Sequence, residues 1–439
     1  MSLAARLSES LGAFETPRSL YIHVPFCSSR CAYCDFHSFS ASAISDAAMS
    51  SYIDRVLARA ESLCGSMAAF PETLYVGGGT PSVLGDALFR RLLEGLRALF
   101  GSGLREWTLE ANPESLTSAK LDMMVSNKVT RLSIGIQSMD DESLGILGRG
   151  AKAADNRRAV ALAAGSGLEL SADLIAALPV PKPGEGRAKG SLSSRRQVTA
   201  RKKTSLSDSV KFLAGEGFGH LSMYDLVVEE GTRIKRRLDE GELLPADEES
   251  AFEERKEAET ILEDLGYKRY EVSNYCLPGR ESLHNGCYWA MNSYLGIGSG
   301  AVSTLIVADP EKASRLGARL GAGGGAAMRF EEGKDLASYI EDPDGSGALS
   351  WISRGDSAFE MVMMALRTSL GLDEKRFRSR FGLEVSRILS RTIKTWNERF
   401  SEGEGRLSLD GPGLDILNRI LVDALEEMEP YFQEKTGNI

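Results

Sequence analysis

Six short runs dominated by β-branched, aliphatic and aromatic residues punctuate the first two-thirds of the chain. They are SLYIHVPF (19–26), ETLYVGGG (72–79), EWTLEANP (106–113), RLSIGIQS (131–138), LELSADLIAALP (168–179) and HLSMYDLVVE (220–229). Each closes on small or polar residues, which marks the end of a strand. Between the runs, apolar residues recur at three and four, as in ALFRRLLEGLRALF (87–100) and DNRRAVALAAGSG (155–167). That is the spacing of an amphipathic helix. Strand–helix units in series predict an α/β fold of parallel strands joined by crossover helices, either barrel-like or doubly wound. The barrel is favoured because the unusual residues gather at the carboxyl ends of successive strands, where barrel enzymes assemble their sites. One polar strand end is only a terminator; six in succession predict a site.

Two segments break this rhythm. Residues 181–204, PKPGEGRAKGSLSSRRQVTARKKT, are basic, rich in Gly and Ser and without hydrophobic periodicity, as expected of a flexible surface insertion. LGARLGAGGGAAMRFEEG (316–333) reads as a loose connection. From about Trp351 the pattern turns helical, in AFEMVMMALRTSL (358–370) and EVSRILSRTIKTWNERF (384–400). A turn or hairpin follows at GRLSLDGPG (405–413), then a last helix, LDILNRILVDALEEM (414–428). The expected division is a barrel core over 1–240, a flanking region over 241–349 and a compact, winged-helix-like module over 350–439.

Composition narrows the class. Of 439 residues, 42% are hydrophobic and 26% charged, the balance of an ordinary globular protein. The formal net charge of −10 argues against a general nucleic-acid binder, the basic insertion being the one local exception. No signal-peptide pattern and no uninterrupted apolar span of membrane length is visible, so a cytoplasmic location is expected. In that compartment the six cysteines are read first as metal ligands, reactive thiols or core residues. Cys64, Cys276 and Cys287 read as core or half-exposed thiols.

The remaining three, Cys27, Cys31 and Cys34 in HVPFCSSRCAYCDFHSF, follow the first strand at C-x3-C-x2-C spacing. A structural zinc site wants a fourth ligand, for which His23 and His37 are near in sequence. An iron–sulfur cube held by three cysteines instead leaves one iron open to an outside ligand. That iron can chelate the amino and carboxylate groups of S-adenosylmethionine, whose sulfonium one electron from the cluster can cleave to a carbon radical. The spacing, in its place after a first strand, resembles the radical S-adenosylmethionine superfamily, which implies a partial (β/α)6 TIM-like barrel holding a [4Fe–4S] cluster and S-adenosylmethionine. VGGGTPS at the end of strand two then resembles the superfamily's motif for the methionine amino group.

A narrower resemblance runs from Leu20 into the C-terminal module. It is carried by YIHVPFC, GGGTPS, LEANPESL, RLSIGIQS, LGRG, MYDLVVEEGT and GYKRYEVSNYCLPGRESLHNGCYWAMNSYLGIGSGAVS. Together these resemble the oxygen-independent coproporphyrinogen III oxidases and their relatives, the HemW-type heme chaperones. By that resemblance Tyr21, Gly78, Gly79, Thr80, Glu110, Gln137, Arg149 and Asp173 contact S-adenosylmethionine, and Cys27, Cys31 and Cys34 hold the cluster. Three features favour the chaperone branch: Asp35 and Phe36 follow the last cysteine where the oxidases place Gly-Cys, only 26 residues precede the cluster, and HNGCYW matches the chaperones' H-N-x-x-Y-W. The resemblance implies heme as cargo, an external electron donor and a hemoprotein recipient at a membrane. The alternatives are oxidative decarboxylation of coproporphyrinogen III and a radical reaction on another substrate such as RNA. Within the motif, His284 is the candidate heme ligand, because imidazole ligates heme iron and the adjoining aromatic rings can cover a macrocycle; a buried, hydrogen-bonded histidine is the competing reading. Departures fall on the substrate side: Ala177 stands for a family glycine in AALPVPKPGEG, LGRG runs on into AKAADN where relatives place a histidine, and Val302 replaces a histidine in GAVS.

Overall fold

The computed structural model describes residues 3–432 apart from 10, 183–204, 315, 317–325 and 345. All but the first two residues of the basic insertion therefore lie outside the described residues. The six predicted strands are β1 (Ser19–Val24), β2 (Thr73–Gly78), β3 (Glu106–Ala111), β4 (Arg131–Gln137), β5 (Glu169–Ala176) and β6 (His220–Asp225). They pair in parallel and in chain order. Every residue of β4 is buried, as expected of a central parallel strand covered on both faces.

The helices cover the sheet through single apolar stripes. Along Asp86–Phe100, Phe89, Leu92, Leu93, Leu96 and Phe100 are buried, while Arg90 and Glu94 stay in water. This is the 3.6-residue period seen in the sequence. Trp107, Tyr52 and Phe26 are among the largest fully buried side chains of the core.

Among the described residues the sheet does not close. β6 pairs antiparallel with β8 (Asn274–Cys276), which pairs with β7 (Lys268–Arg269). Beyond β1 come β9 (Tyr294–Ile297), parallel to it, and then antiparallel β10 (Val302–Ile306), β11 (Ala327–Glu331) and β12 (Ala348–Ile352). Among the described residues the result is one twelve-stranded sheet with a parallel centre and antiparallel edges. β11 corrects the expectation of a loose connection over 316–333: its alternation is short and follows a glycine run, but Met328 and Phe330 are buried and both neighbours supply ladder partners.

The C-terminal module has its own core, in which Val362, Phe377, Phe381, Leu407 and Ile420 meet. The helix expected over 384–400 is two short ones, Val385–Ile388 and Ser390–Thr395, and Phe400 begins a strand. That strand, Phe400–Gly403, turns through Glu404 and Gly405, both at positive φ, into Arg406–Leu409. Two successive positive φ angles match the twist of a two-residue hairpin. Among the described residues no helix is long and apolar enough to cross a membrane.

Candidate functional site

The loop after β1 carries the three cysteines. It is closed by a short parallel pairing of Phe26–Cys27 with Phe39–Ser40, so Cys27, Cys31 and Cys34 share one lobe at the carboxyl end of the sheet. All three thiols are free and partly buried. Burial pushes Cys27 and Cys34 above the ordinary thiol value, a preference that bound iron would reverse by holding thiolates.

A chain of polar contacts ties two of these thiols to the strand ends. Thr80 Oγ1 donates to Cys27 Sγ at 3.7 Å and accepts from Asn112 Nδ2 at 3.0 Å. Arg149 Nη2 donates to Asn112 Oδ1 at 2.9 Å and to the Gly135 carbonyl at 2.8 Å, and its Nη1 reaches Cys31 Sγ at 3.4 Å. Gly135 leaves room for this convergence: a Cβ there would lie 2.9 Å from Gln137 Nε2 and 3.0 Å from Asn112 Oδ1. Gln137 itself sits at φ +62°, on the register shift between β4 and β5. Asn112 joins two of the expected site residues, Thr80 and Arg149, and was legible in LEANP only as their neighbour.

A second group forms beneath the glycine turn. Glu110 accepts from Tyr75 Oη at 2.6 Å and from the Gly78 N–H at 3.1 Å. A Cβ on Gly77 would come within 2.6 Å of the Glu110 carboxyl, and one on Gly78, at φ +102°, would strike the His23 ring. Only glycine lets the backbone lie this close. Burial, with Asp173 adding charge repulsion, pushes Glu110 up to about 7. Burial also raises Asp173, against hydrogen bonds from Ser222 and Ser133. Tyr21 meets His23 Nδ1 through its hydroxyl at 2.9 Å. The expected residues thus fall into two adjoining groups, one around Cys27, Cys31, Thr80, Gln137 and Arg149, the other around Tyr21, Gly78, Glu110 and Asp173.

The donor set fits a cluster better than one metal ion. Among the described residues no group of three or more His, Cys, Asp or Glu side chains is drawn together to hold a single ion. His23 uses both ring nitrogens, on Tyr21 and on the His37 carbonyl at 2.9 Å, and His37 Nε2 meets Ser299 Oγ at 3.0 Å. Three thiols on one lobe, with a guanidinium at one of them, suit a cube whose bonds to the protein spread over three irons.

His284 lies at the other end of the strands. Its Nδ1 meets Thr73 Oγ1, on the first residue of β2, at 2.9 Å, and its Nε2 meets Tyr288 Oη at 2.8 Å. It is 1% exposed, and burial lowers it to about 3, so it is a neutral imidazole with both nitrogens engaged. This is the buried, hydrogen-bonded arrangement, and in it neither nitrogen is open to iron. Cys64 and Cys276 are buried and Cys287 half-buried.

Comparison with known proteins agrees with this architecture. A radical SAM superfamily model matches residues 21–184, and a HemN C-terminal domain model matches residues 352–416. The chain is 33% identical to the heme chaperone HemW of Lactococcus lactis over 388 residues, 86% of this chain and 89% of that one. It is 28% identical over 456 residues to the mitochondrial radical S-adenosyl methionine domain-containing protein 1 of Mus musculus, covering 98% and 93% of the two chains. The structure of coproporphyrinogen III oxidase HemN from Escherichia coli superposes with a TM-score of 0.71 at 19% identity, over 98% of this chain and 94% of that one. That likeness is one of fold.

Proposed function

The chain belongs to the HemW family within the radical SAM superfamily, and from that premise we propose that it is a heme chaperone, binding heme as cargo and handing it to a hemoprotein. The observation that carries this reading is the identity to a bacterial heme chaperone over 388 residues, which cannot be confined to the barrel. The family implies a [4Fe–4S] cluster and S-adenosylmethionine. When bound, these supply one-electron chemistry at a sulfonium.

The chain's own residues define what such groups would meet. Cys27, Cys31 and Cys34 would hold three irons. Arg149, a permanent cation, donates to Cys31 and would stabilise its thiolate while anchoring the lobe to Asn112. Gly78 and Gly79 open the backbone to the methionine amino group, beside Thr80 and Tyr21. Glu110 and Asp173 are the buried carboxylates available to ammonium, sulfonium or ribose hydroxyls, and Gln137 offers an amide beside Arg149. Recipient hemoproteins at a membrane are part of the proposal, as is an external electron donor.

The test is turnover. Anaerobically reconstituted protein is given coproporphyrinogen III, S-adenosylmethionine and a low-potential reductant. The proposal expects no protoporphyrinogen; stoichiometric product formation would make this an oxidase and overturn it.

A further inference from the structure

With His284 closed, the cargo needs another seat. A cleft of about 750 Å³ opens beside the same motif helix, Leu283–Trp289, where that helix faces the C-terminal module. We propose that this cleft holds the heme and that the Cys287 thiolate is its iron ligand. The inference rests on the heme-chaperone reading and gives it a location.

The volume lies within the range of sites that enclose a drug-sized ligand. Leu283 of the motif helix and Leu370 of the module line the cleft while remaining 40% and 63% exposed. A flat apolar macrocycle would cover both and withdraw that apolar surface from water. Cys287 and Trp289 also line it, and the Trp289 indole N–H is buried without a partner. At the rim, Arg18 and Arg105 share one carboxylate, Glu72, at 3.0 and 3.4 Å. Two guanidiniums on a single carboxylate can accept the propionates of heme. Arg376 lines the cleft within electrostatic reach of Cys287, so an iron-bound thiolate would face a cation. Ligation forms one Fe–S bond and releases the thiol proton to solvent, and it needs no oxidant or reductant.

The cleft's position has a consequence. Arg18, Glu72 and Arg105 immediately precede β1, β2 and β3, at the amino ends of the strands, whereas the cysteine lobe and glycine turn lie at the carboxyl ends. From Thr73 to Gly78 the strand rises roughly 17 Å. Cargo and S-adenosylmethionine therefore occupy opposite ends of the sheet and do not compete.

The test is a heme titration of the anaerobically reconstituted full chain, ferric and then ferrous with carbon monoxide. It is repeated with saturating S-adenosylmethionine and on C287A, H284A and G286W. Gly286 lines the cleft, and a Cβ there meets nothing within 4 Å, so the tryptophan would fill the space without disturbing the helix. We expect the red-shifted Soret band of a thiolate–CO heme in the wild type, its loss in C287A with affinity at least ~10-fold weaker, blocked uptake in G286W, and no effect of S-adenosylmethionine. Stoichiometric heme with the same spectrum and affinity in C287A and G286W would overturn the cleft while leaving the chaperone reading standing. Loss of heme in H284A alone would return the site to the histidine. Absence of stoichiometric binding in the wild type would remove the chaperone reading itself.

Discussion

Glu106 couples the barrel to the motif helix, and its replacement by glutamine measures how tightly. The residue begins β3 and is 4% exposed. One carboxylate oxygen accepts from Ser282 Oγ and from the His284 N–H, both at 3.1 Å, and the other accepts from the Leu283 N–H at 2.9 Å. The carboxylate thus satisfies the first N–H groups of the helix, which have no intrahelical partner, and places negative charge at the positive end of its dipole. Arg131 Nη2 stands 3.6 Å away, also buried. Glutamine keeps one accepting oxygen and turns the other into a donor, facing either the Leu283 N–H or the Ser282–His284 pair. A buried donor left without its acceptor costs about 1–3 kcal/mol, and the weakened ion pair and dipole contact add about 1 kcal/mol. E106Q should therefore lose about 3 kcal/mol. The assay is urea unfolding followed by tryptophan fluorescence, with the midpoint shifted and the slope unchanged. A loss below about 0.5 kcal/mol would refute the reasoning and mean that water or a neighbouring group serves these N–H groups.

Three further predictions follow from the site. Ala177, which by the family resemblance stands for a glycine, sits at φ +54°. Relief of left-handed strain, about 1–2 kcal/mol, outweighs the greater unfolded-chain entropy of glycine, about 0.4–1 kcal/mol. A177G should raise the urea midpoint, and a lowered midpoint would contradict this. R149K keeps the charge but cannot span Cys31, Asn112 and Gly135 together; iron retained against a chelator should fall ~10-fold or more, and wild-type retention would show the fork to be idle. Glu110 titrates near 7 because burial raises it. Cationic S-adenosylmethionine favours the ionised form, so affinity should increase with pH, by up to about tenfold between pH 6 and 8 for a single carboxyl of that pKa. Calorimetry showing a flat profile, or one falling with pH, would exclude this carboxylate from the contact.

Much of the centre of the molecule was legible because its signals are local. The six parallel strands are mainly apolar runs that end in special residues, and the cysteine spacing declares itself within eight positions. The edges were harder to read. β11 is five residues long beside a glycine run, and the hairpin at Glu404–Gly405 carries glutamate where Asn or Asp would have announced the turn. The state of His284 stayed open between a heme ligand and a buried, hydrogen-bonded histidine, since its partner Thr73 is 211 residues away. Asn112 was hidden differently: it lay in plain view inside a motif, but only the fold brings its two amide atoms between Thr80 and Arg149. Ala177 shows the converse, a departure in sequence at which the backbone still takes a left-handed conformation.

The central claim is that this chain carries heme as cargo. Its most direct test is transfer: protein loaded with one heme per chain is mixed with an apo-hemoprotein that has been reincorporated into membranes, and the spectra of donor and acceptor are followed after separation. Heme should leave the chain and appear in the acceptor faster than free heme trapped by a scavenger would allow. Heme that stays bound, or that reaches the acceptor only through the scavenger-accessible pool, would contradict it.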